Sequence, residues 1–347
     1  MADNTHIEWT DATWNPITGC SVVSPGCTNC YAMRLAGGRL KHTASRQGLT
    51  TPSKAGPVWN GQLRFNAAEL VKPLSCRRPR KIFVCAHGDL FHASVPDAWI
   101  DQVFAVAALS PQHTFQVLTK RAERMRAYVT DPDTPARIID AALRMKALPR
   151  DWQWPLPNVW LGVSAEDQAR ADERIPALLA TPAAVHFLSA EPLLNAIDLT
   201  EIRWAKSCDC PDSDPTLNAL DGTVYCAGCC EGHERLNIGT LNWVIVGGES
   251  GPGARPMHPD WARQIRDDCA AAGVAFFFKQ WGAWSATGPH NRDMLIGQDG
   301  SVAHPRFQTA AVENPNGQGR TILTRVGKKA AGRLLDGVQH DGMPGGR

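Results

Sequence analysis

The chain has 347 residues, 43% of them hydrophobic, enough for a sizeable core and against a disordered protein. Its formal net charge of +2 gives no general electrostatic case for nucleic-acid binding, so any basic patch must be local. Eleven cysteines behind a polar N-terminus (Met1-Ala-Asp-Asn-Thr-His) argue for metal ligation or redox chemistry in the cytoplasm rather than a secreted disulfide framework. No run is long and apolar enough to span a membrane.

In chain order, residues 7–14 (IEWTDATW) read as a short β-prone segment ended by Asn15-Pro16. A loop follows at once, with Cys20, Cys27 and Cys30 in C-x6-C-x2-C spacing and Pro25 breaking any helix between them. A short helix is expected from about Cys30, weakened at Gly37-Gly38, and residues 42–80 read as an excursion with little regular structure. Then a repeating pattern begins. Short apolar strands are expected at 81–86, 113–119, 158–164, 185–189, 242–246 and 274–278. Helical spacing is expected over 96–109, 134–148, 167–179 and 259–272, the last with Asp260 as N-cap and Gly273 as C-cap. Strands alternating with helices at intervals of roughly 27 to 57 residues indicate parallel βαβ units, and wholly apolar strands indicate a sheet buried on both faces.

An open doubly wound sheet and a barrel both fit this alternation. The strand ends favour a (β/α) TIM-type barrel, partial, with six clear strands and the N-terminal segment as a seventh. Nearly every strand closes on a charged or amide residue: Asp89, Lys120, Glu166, Glu191, Glu249, Lys279 and Gln280. In a barrel those ends converge on the face where chemistry occurs. The barrel is assigned to residues 1–284. A Cys-rich excursion interrupts it at 201–238, and 285–347 form a polar lid or tail with a hairpin turning at Asp299-Gly300.

Three closely spaced thiolates on a loop suit either a cluster or a zinc ion completed by a distant ligand. The second set, Cys208, Cys210, Cys226 and Cys229, has zinc-ribbon-like spacing, with Cys230 or His233 as substitutes and an auxiliary iron–sulfur cluster as the alternative. Glu166 and Glu191, each after a Ser-Ala pair, are candidates for acid–base work or for holding a polar substrate, with Lys279 beside them. Salt bridges to Lys120, Arg121 or Lys279 are the structural alternative. Lys120, Arg121 and Gln280 are candidates for holding an anionic or polar substrate, such as a nucleotide or nucleic acid, although a run such as Lys120-Arg121 with Arg124 and Arg126 is more often a solvated helix face.

A barrel with three cysteines after its first strand resembles the radical S-adenosylmethionine enzymes. That resemblance implies a 4Fe-4S cluster on Cys20, Cys27 and Cys30, with S-adenosylmethionine bound at the fourth iron and cleaved to a 5′-deoxyadenosyl radical. The usual spacing there is C-x3-C-x2-C. The usual aromatic residue before the third cysteine is replaced by Asn29, and Tyr31 follows the third cysteine. Gly247-Gly248-Glu249 is similar to the glycine-rich segment that holds the methionine amino group in that superfamily. By strand order Gly88-Asp89 is the better match, and all five are candidate cofactor-binding residues. The structural alternative for Gly247-Gly248 is a tight turn with Glu249 in solvent.

A closer resemblance is to the phage gene-product-37/68 family, a domain of unknown function. It is carried by IEWTDATWNPITGC, SPGCTNCYA, DLFH (89–92), HTFQVLTKR (113–121), NVWLGVSAE (158–166), FLSAEPLL (187–194), WVIVGGESGPGARPM (243–257) and FFFKQWG (276–282), over about residues 5–284. The resemblance implies a barrel similar to that of the radical enzymes, no settled reaction, and a three-cysteine-motif partner protein. The leading expectation is therefore an iron–sulfur, S-adenosylmethionine-dependent radical enzyme. The rival is a non-catalytic, zinc-stabilised nucleic-acid-binding or adaptor protein.

Overall fold

A computed structural model of the chain describes every residue except 4, 6, 205–214, 227–233, 236–238, 286–294, 297–301, 304–308, 314–319, 346 and 347. The apolar runs become the strands β1 (Ala12–Trp14), β2 (Lys81–Val84), β3 (Thr114–Thr119), β4 (Val159–Ser164), β5 (Val185–Ala190), β6 (Trp243–Gly247) and β7 (Ala275–Gln280). They follow one another in the sheet in chain order, and Ala2–Asp3 adds an antiparallel edge beside β1. β1 pairs parallel with β2, β2 with β3, β3 with β4, and β6 with β7. A doubly wound sheet reverses its strand order at a switch point, and this order has no reversal. The fold is mixed α/β with a seven-strand parallel sheet, in the topology of a partial (β/α) barrel.

The helices of seven or more residues among the described ones are α1 (Tyr31–Gly37), α2 (Asp97–Ala108), α3 (Ala122–Thr130), α4 (Thr134–Arg144), α5 (Gln168–Leu179) and α6 (Pro259–Ala272). α3 carries Arg124 and Arg126 on a helix, as the helix-face reading of that basic run has it. The cap of α6 differs from expectation. Its N-cap is His258, whose ring Nδ1 accepts the Asp260 N–H at 3.1 Å. Asp is the stronger capping residue by type, but Pro259 is favoured at the first helical position, which puts the cap two residues ahead of Asp260. Gly273 closes the helix as expected, at φ 69°.

The chain forms two compact units, Met1–Ser164 with Arg174–Phe187, and Ala165–Glu173 with Leu188–Arg347. In the first, β2 and β3 bury most of their residues, as strands covered on both faces do. Trp14 is fully buried there, edge-on to Phe115 at 5.6 Å, and its indole N–H donates to the Glu69 carbonyl at 2.8 Å. Residues 42–80 hold more regular structure than expected: a hairpin of Thr50–Ser53 with Gly56–Trp59, and Arg64–Phe65 paired to Ile17–Thr18. The hairpin's Trp59 packs with Ala32, Met33, Ala36 and Leu49 into a small core under the cysteine loop, against which Cys20 and Cys30 lie.

In the second unit β6 is buried along its whole length. The far C-terminal residues cover the free edge of β7. Gly342 N–H donates to the Phe276 carbonyl at 2.9 Å, and Phe278 N–H to the His340 carbonyl at 3.0 Å. An exposed strand edge invites unwanted pairing, and this segment blocks it. The hairpin expected around residue 300 is present as Leu295–Ile296 paired with Val302–Ala303; its turn lies outside the described residues.

Candidate active site and metal centre

The first unit collects the ends of β1, β2 and β3 around the cysteine loop. Gly19, at φ 98°, adopts a conformation that L side chains avoid, and a Cβ there would lie 2.1 Å from the Gln62 carbonyl oxygen. Gly19 bridges to Gly88, where a Cβ would sit 3.0 Å from the Ile17 carbonyl. The two glycines therefore bring the cysteine loop against the turn after β2. Pro25–Cys27 forms a single 3-10 turn, and Cys30 N–H donates to the Cys27 carbonyl at 3.2 Å, directly before α1.

The three thiols are electrostatic neighbours. Burial pushes the Cys20 thiol up to about 12; Asp89 and Cys30 add to the rise, and Arg121 opposes it. Burial also raises Cys30, with Cys27 contributing and the amides of Met33 and Ala32 opposing. Among the described residues, however, no three His, Cys, Asp or Glu side chains are arranged to share one metal ion.

Arg121 and Asp89 tie this loop to the strand ends. Asp89 is buried and accepts four donors. Its Oδ1 takes the Thr119 hydroxyl at 2.7 Å and the Phe91 N–H at 3.0 Å; its Oδ2 takes Arg121 Nη1 at 2.7 Å and the Lys120 N–H at 3.3 Å. Arg121 Nη1 also donates to Cys20 Sγ at 3.7 Å, and Nη2 to the Ser21 hydroxyl at 2.9 Å and carbonyl at 3.3 Å. Burial alone would lower the Arg121 value; Asp89 and Cys20 outweigh it, and the guanidinium stays charged. Lys120 Nζ reaches the Ser164 hydroxyl at the end of β4, at 2.9 Å.

Two histidines flank the loop. His92 Nδ1 accepts the Ser94 N–H at 3.1 Å, which leaves the proton of the neutral ring on Nε2, 2.9 Å from the Ser21 hydroxyl oxygen. Burial and then Arg121 lower its pKa. His87 Nδ1 lies 3.2 and 2.8 Å from Arg46 Nε and Nη2, and burial and then Arg46 lower it to about 4. Sequence reasoning did not single out Ser21, His92, Thr119 or the Arg46–His87 pair, although His92 stands in the DLFH segment.

The second unit holds the other strand-end residues. Lys279 Nζ donates to both Glu191 oxygens at 2.8 and 3.0 Å, one of the salt bridges considered from sequence. Gln280 Nε2 points at Glu191 Oε1 at 3.4 Å, while its own buried carbonyl oxygen has no donor among the described residues. Gly247 makes room for this pair, because a Cβ there would meet the Glu191 carboxyl carbon at 3.2 Å. At Gly248 a Cβ would lie 2.1 Å from the Trp281 carbonyl oxygen, so this glycine lets the ends of β6 and β7 close on each other. Glu249 is buried rather than solvated. Its carboxylate accepts Arg255 Nε at 2.9 Å and Nη2 at 2.6 Å, together with the Arg255 N–H at 2.9 Å, which clasps the loop between β6 and α6. That hydrogen-bonded pairing raises Arg255, and the charges of Glu249 and Glu166 add to it. Glu166 is itself fully buried, and its main-chain carbonyl accepts from Leu194 and Asn195. Arg255 was missed although it lies in the same motif as Glu249, six residues on.

Of the second cysteine set, Cys208, Cys210 and Cys229 lie outside the described residues, as do Cys230 and His233. Cys226 is described and buried, at the end of a small antiparallel strand, Thr223–Tyr225. No helix among the described residues is long and apolar enough to cross a membrane.

Comparison with known proteins gives no significant match to any curated protein or solved structure. One family matches over residues 4–344, almost the whole sequence, and its description is "Protein of unknown function (DUF5131)". The chain belongs to that family.

Proposed function

We propose that this chain is an iron–sulfur, S-adenosylmethionine-dependent radical enzyme acting on a polar substrate such as a nucleotide or nucleic acid. The observation that carries the reading is the cysteine loop. Three neighbouring, partly buried thiols follow the first strand of a parallel sheet in barrel order, strapped to the next two strand ends by Arg121 and Asp89.

In this reading Cys20, Cys27 and Cys30 hold a 4Fe-4S cluster, which supplies one-electron reduction of S-adenosylmethionine when bound. The chain's own residues divide the remaining work. Asp89 accepts four donors and keeps Arg121 charged and aimed at the loop. Lys120 offers positive charge to an anionic group, whereas Arg121, expected from sequence in the same role, is engaged by Asp89, Cys20 and Ser21. In the second unit Glu191 and Lys279 form an ion pair with only 19% and 14% of their side-chain surface exposed, suited to exchanging a proton with a polar group. The Gln280 carbonyl oxygen offers a buried acceptor to a substrate N–H or O–H. Zinc in the 201–238 insert, kinship with the phage gene-product-37/68 family, a three-cysteine-motif partner and a reducing cytoplasmic setting belong to the same proposal.

The test is anaerobic reconstitution with iron and sulfide, followed by dithionite and S-adenosylmethionine. The proposal expects release of 5′-deoxyadenosine, abolished in Cys30→Ala. A reconstituted protein that binds iron and sulfide but never cleaves S-adenosylmethionine would refute the enzymatic part. A colourless protein carrying only zinc would favour the adaptor reading.

A further inference from the structure

A buried cation directly contacts one cysteine of the loop. Arg121 Nη1 donates to Cys20 Sγ at 3.7 Å, and Arg121 has only 12% of its side chain exposed. No other described contact brings a full positive charge onto a thiol of this loop. The guanidinium is also fixed in orientation. The Asp89 carboxylate holds Nη1 from the end of β2, and the Ser21 hydroxyl and carbonyl hold Nη2 from the loop itself. Asp89 in turn is fixed by Thr119 and by the Phe91 and Lys120 amides. A strut that only stiffened the loop would be complete with the Asp89 and Ser21 bonds. The additional donor at sulfur places charge on a ligand atom.

We infer that Arg121 is an electrostatic positioning residue that selectively stabilises the reduced state of a cluster held by Cys20. The inference rests on the iron–sulfur reading of the loop. Reduction adds one electron and no proton to the cluster, so the reduced state carries one more negative charge. A cation and an N–H donor at a ligand sulfur favour that state and raise the reduction potential. The arrangement makes Cys20 unlike Cys27 and Cys30, and its effect travels through charge and hydrogen bonding rather than through contact with substrate.

The experiment is spectroelectrochemical titration of the reconstituted full chain, comparing wild type with Arg121→Gln and Arg121→Lys. The expected result is a lower midpoint potential in Arg121→Gln at unchanged iron and sulfide content. Arg121→Lys, which keeps the charge but not the fork, should fall between the two. Equal potentials in a wild type and Arg121→Gln that both hold the cluster would overturn the inference and leave the iron–sulfur reading standing. A wild type that takes up no iron and sulfide would overturn both. If Arg121→Gln fails to retain the cluster, Arg121→Lys alone decides: a lowered potential supports the inference and an unchanged one overturns it. Loss of loading in both variants would make Arg121 a structural strut and also overturn it.

Discussion

Replacing Asp89 by Asn tests the network that ties the cysteine loop to the sheet. The two side chains have the same shape, so the change exchanges one acceptor oxygen for an N–H₂ group. Oδ1 can keep the Thr119 hydroxyl and the Phe91 N–H. The new amide would then face Arg121 Nη1 and the Lys120 N–H, donor against donor. Arg121, with 12% of its side chain exposed, would lose its only carboxylate among the described contacts. Breaking a buried ion pair by removing one partner costs about 3–5 kcal/mol. Arg121 retains its Ser21 bonds, so the lower end, about 3 kcal/mol, is expected. Equilibrium urea unfolding of the metal-free protein measures this as a lowered midpoint at unchanged slope. The double variant Asp89→Asn/Arg121→Gln should cost less than the sum of the single changes, by about 2 kcal/mol. A loss below about 1 kcal/mol in Asp89→Asn, or simple additivity in the double variant, would refute the network as described.

Other outcomes follow from the same geometry. The folded His87 titrates at about 4, below its ordinary value of 6.5, because burial and then Arg46 disfavour its charged form. The unfolded chain binds the proton more tightly, so this contribution to stability is full above about pH 6.5 and is lost as pH falls toward 4, at no more than about 1.4 kcal/mol per pH unit. His87→Asn should flatten stability against pH in that window; an unchanged slope, or an NMR titration of His87 near 6.5, would contradict it. Gly248→Ala should destabilise by about 1–3 kcal/mol or more, since its Cβ would meet a main-chain oxygen that cannot yield. A melting temperature equal to wild type would show that the glycine is not required for packing.

The sequence made the parallel strands readable because each is a short apolar run ended by a polar residue; the expected span 158–164 and the observed Val159–Ser164 differ by one residue. The order of strands in the sheet was less accessible, since apolar runs fit an open sheet as well as a barrel. The three cysteines stood out through spacing alone. What links them did not. Arg121 meets Cys20 and Ser21 across about a hundred residues of chain, and no local periodicity encodes a contact of that kind. The same applies to Lys279 and Glu191, which the strand-end pattern placed on one face but could not pair uniquely. Gly247 and Gly248 were candidate cofactor residues through their resemblance to a glycine-rich segment that holds a methionine amino group. The close approach observed is that of the Glu191 side chain and the Trp281 main chain. The hairpin at 50–59 escaped notice because its strands carry two prolines that face each other, Pro52 and Pro57, a composition that reads as loop.

The most direct test of the central claim is iron and acid-labile sulfide content after anaerobic reconstitution, measured on wild type and on a variant with Cys20, Cys27 and Cys30 all changed to Ala. The triple change separates the loop from any metal held by the insert. The account predicts about four irons and four sulfides on wild type that are lost in the variant, together with the broad visible absorption of a cluster. Equal loading of the two proteins, or a wild type that binds zinc and no sulfide, would contradict it.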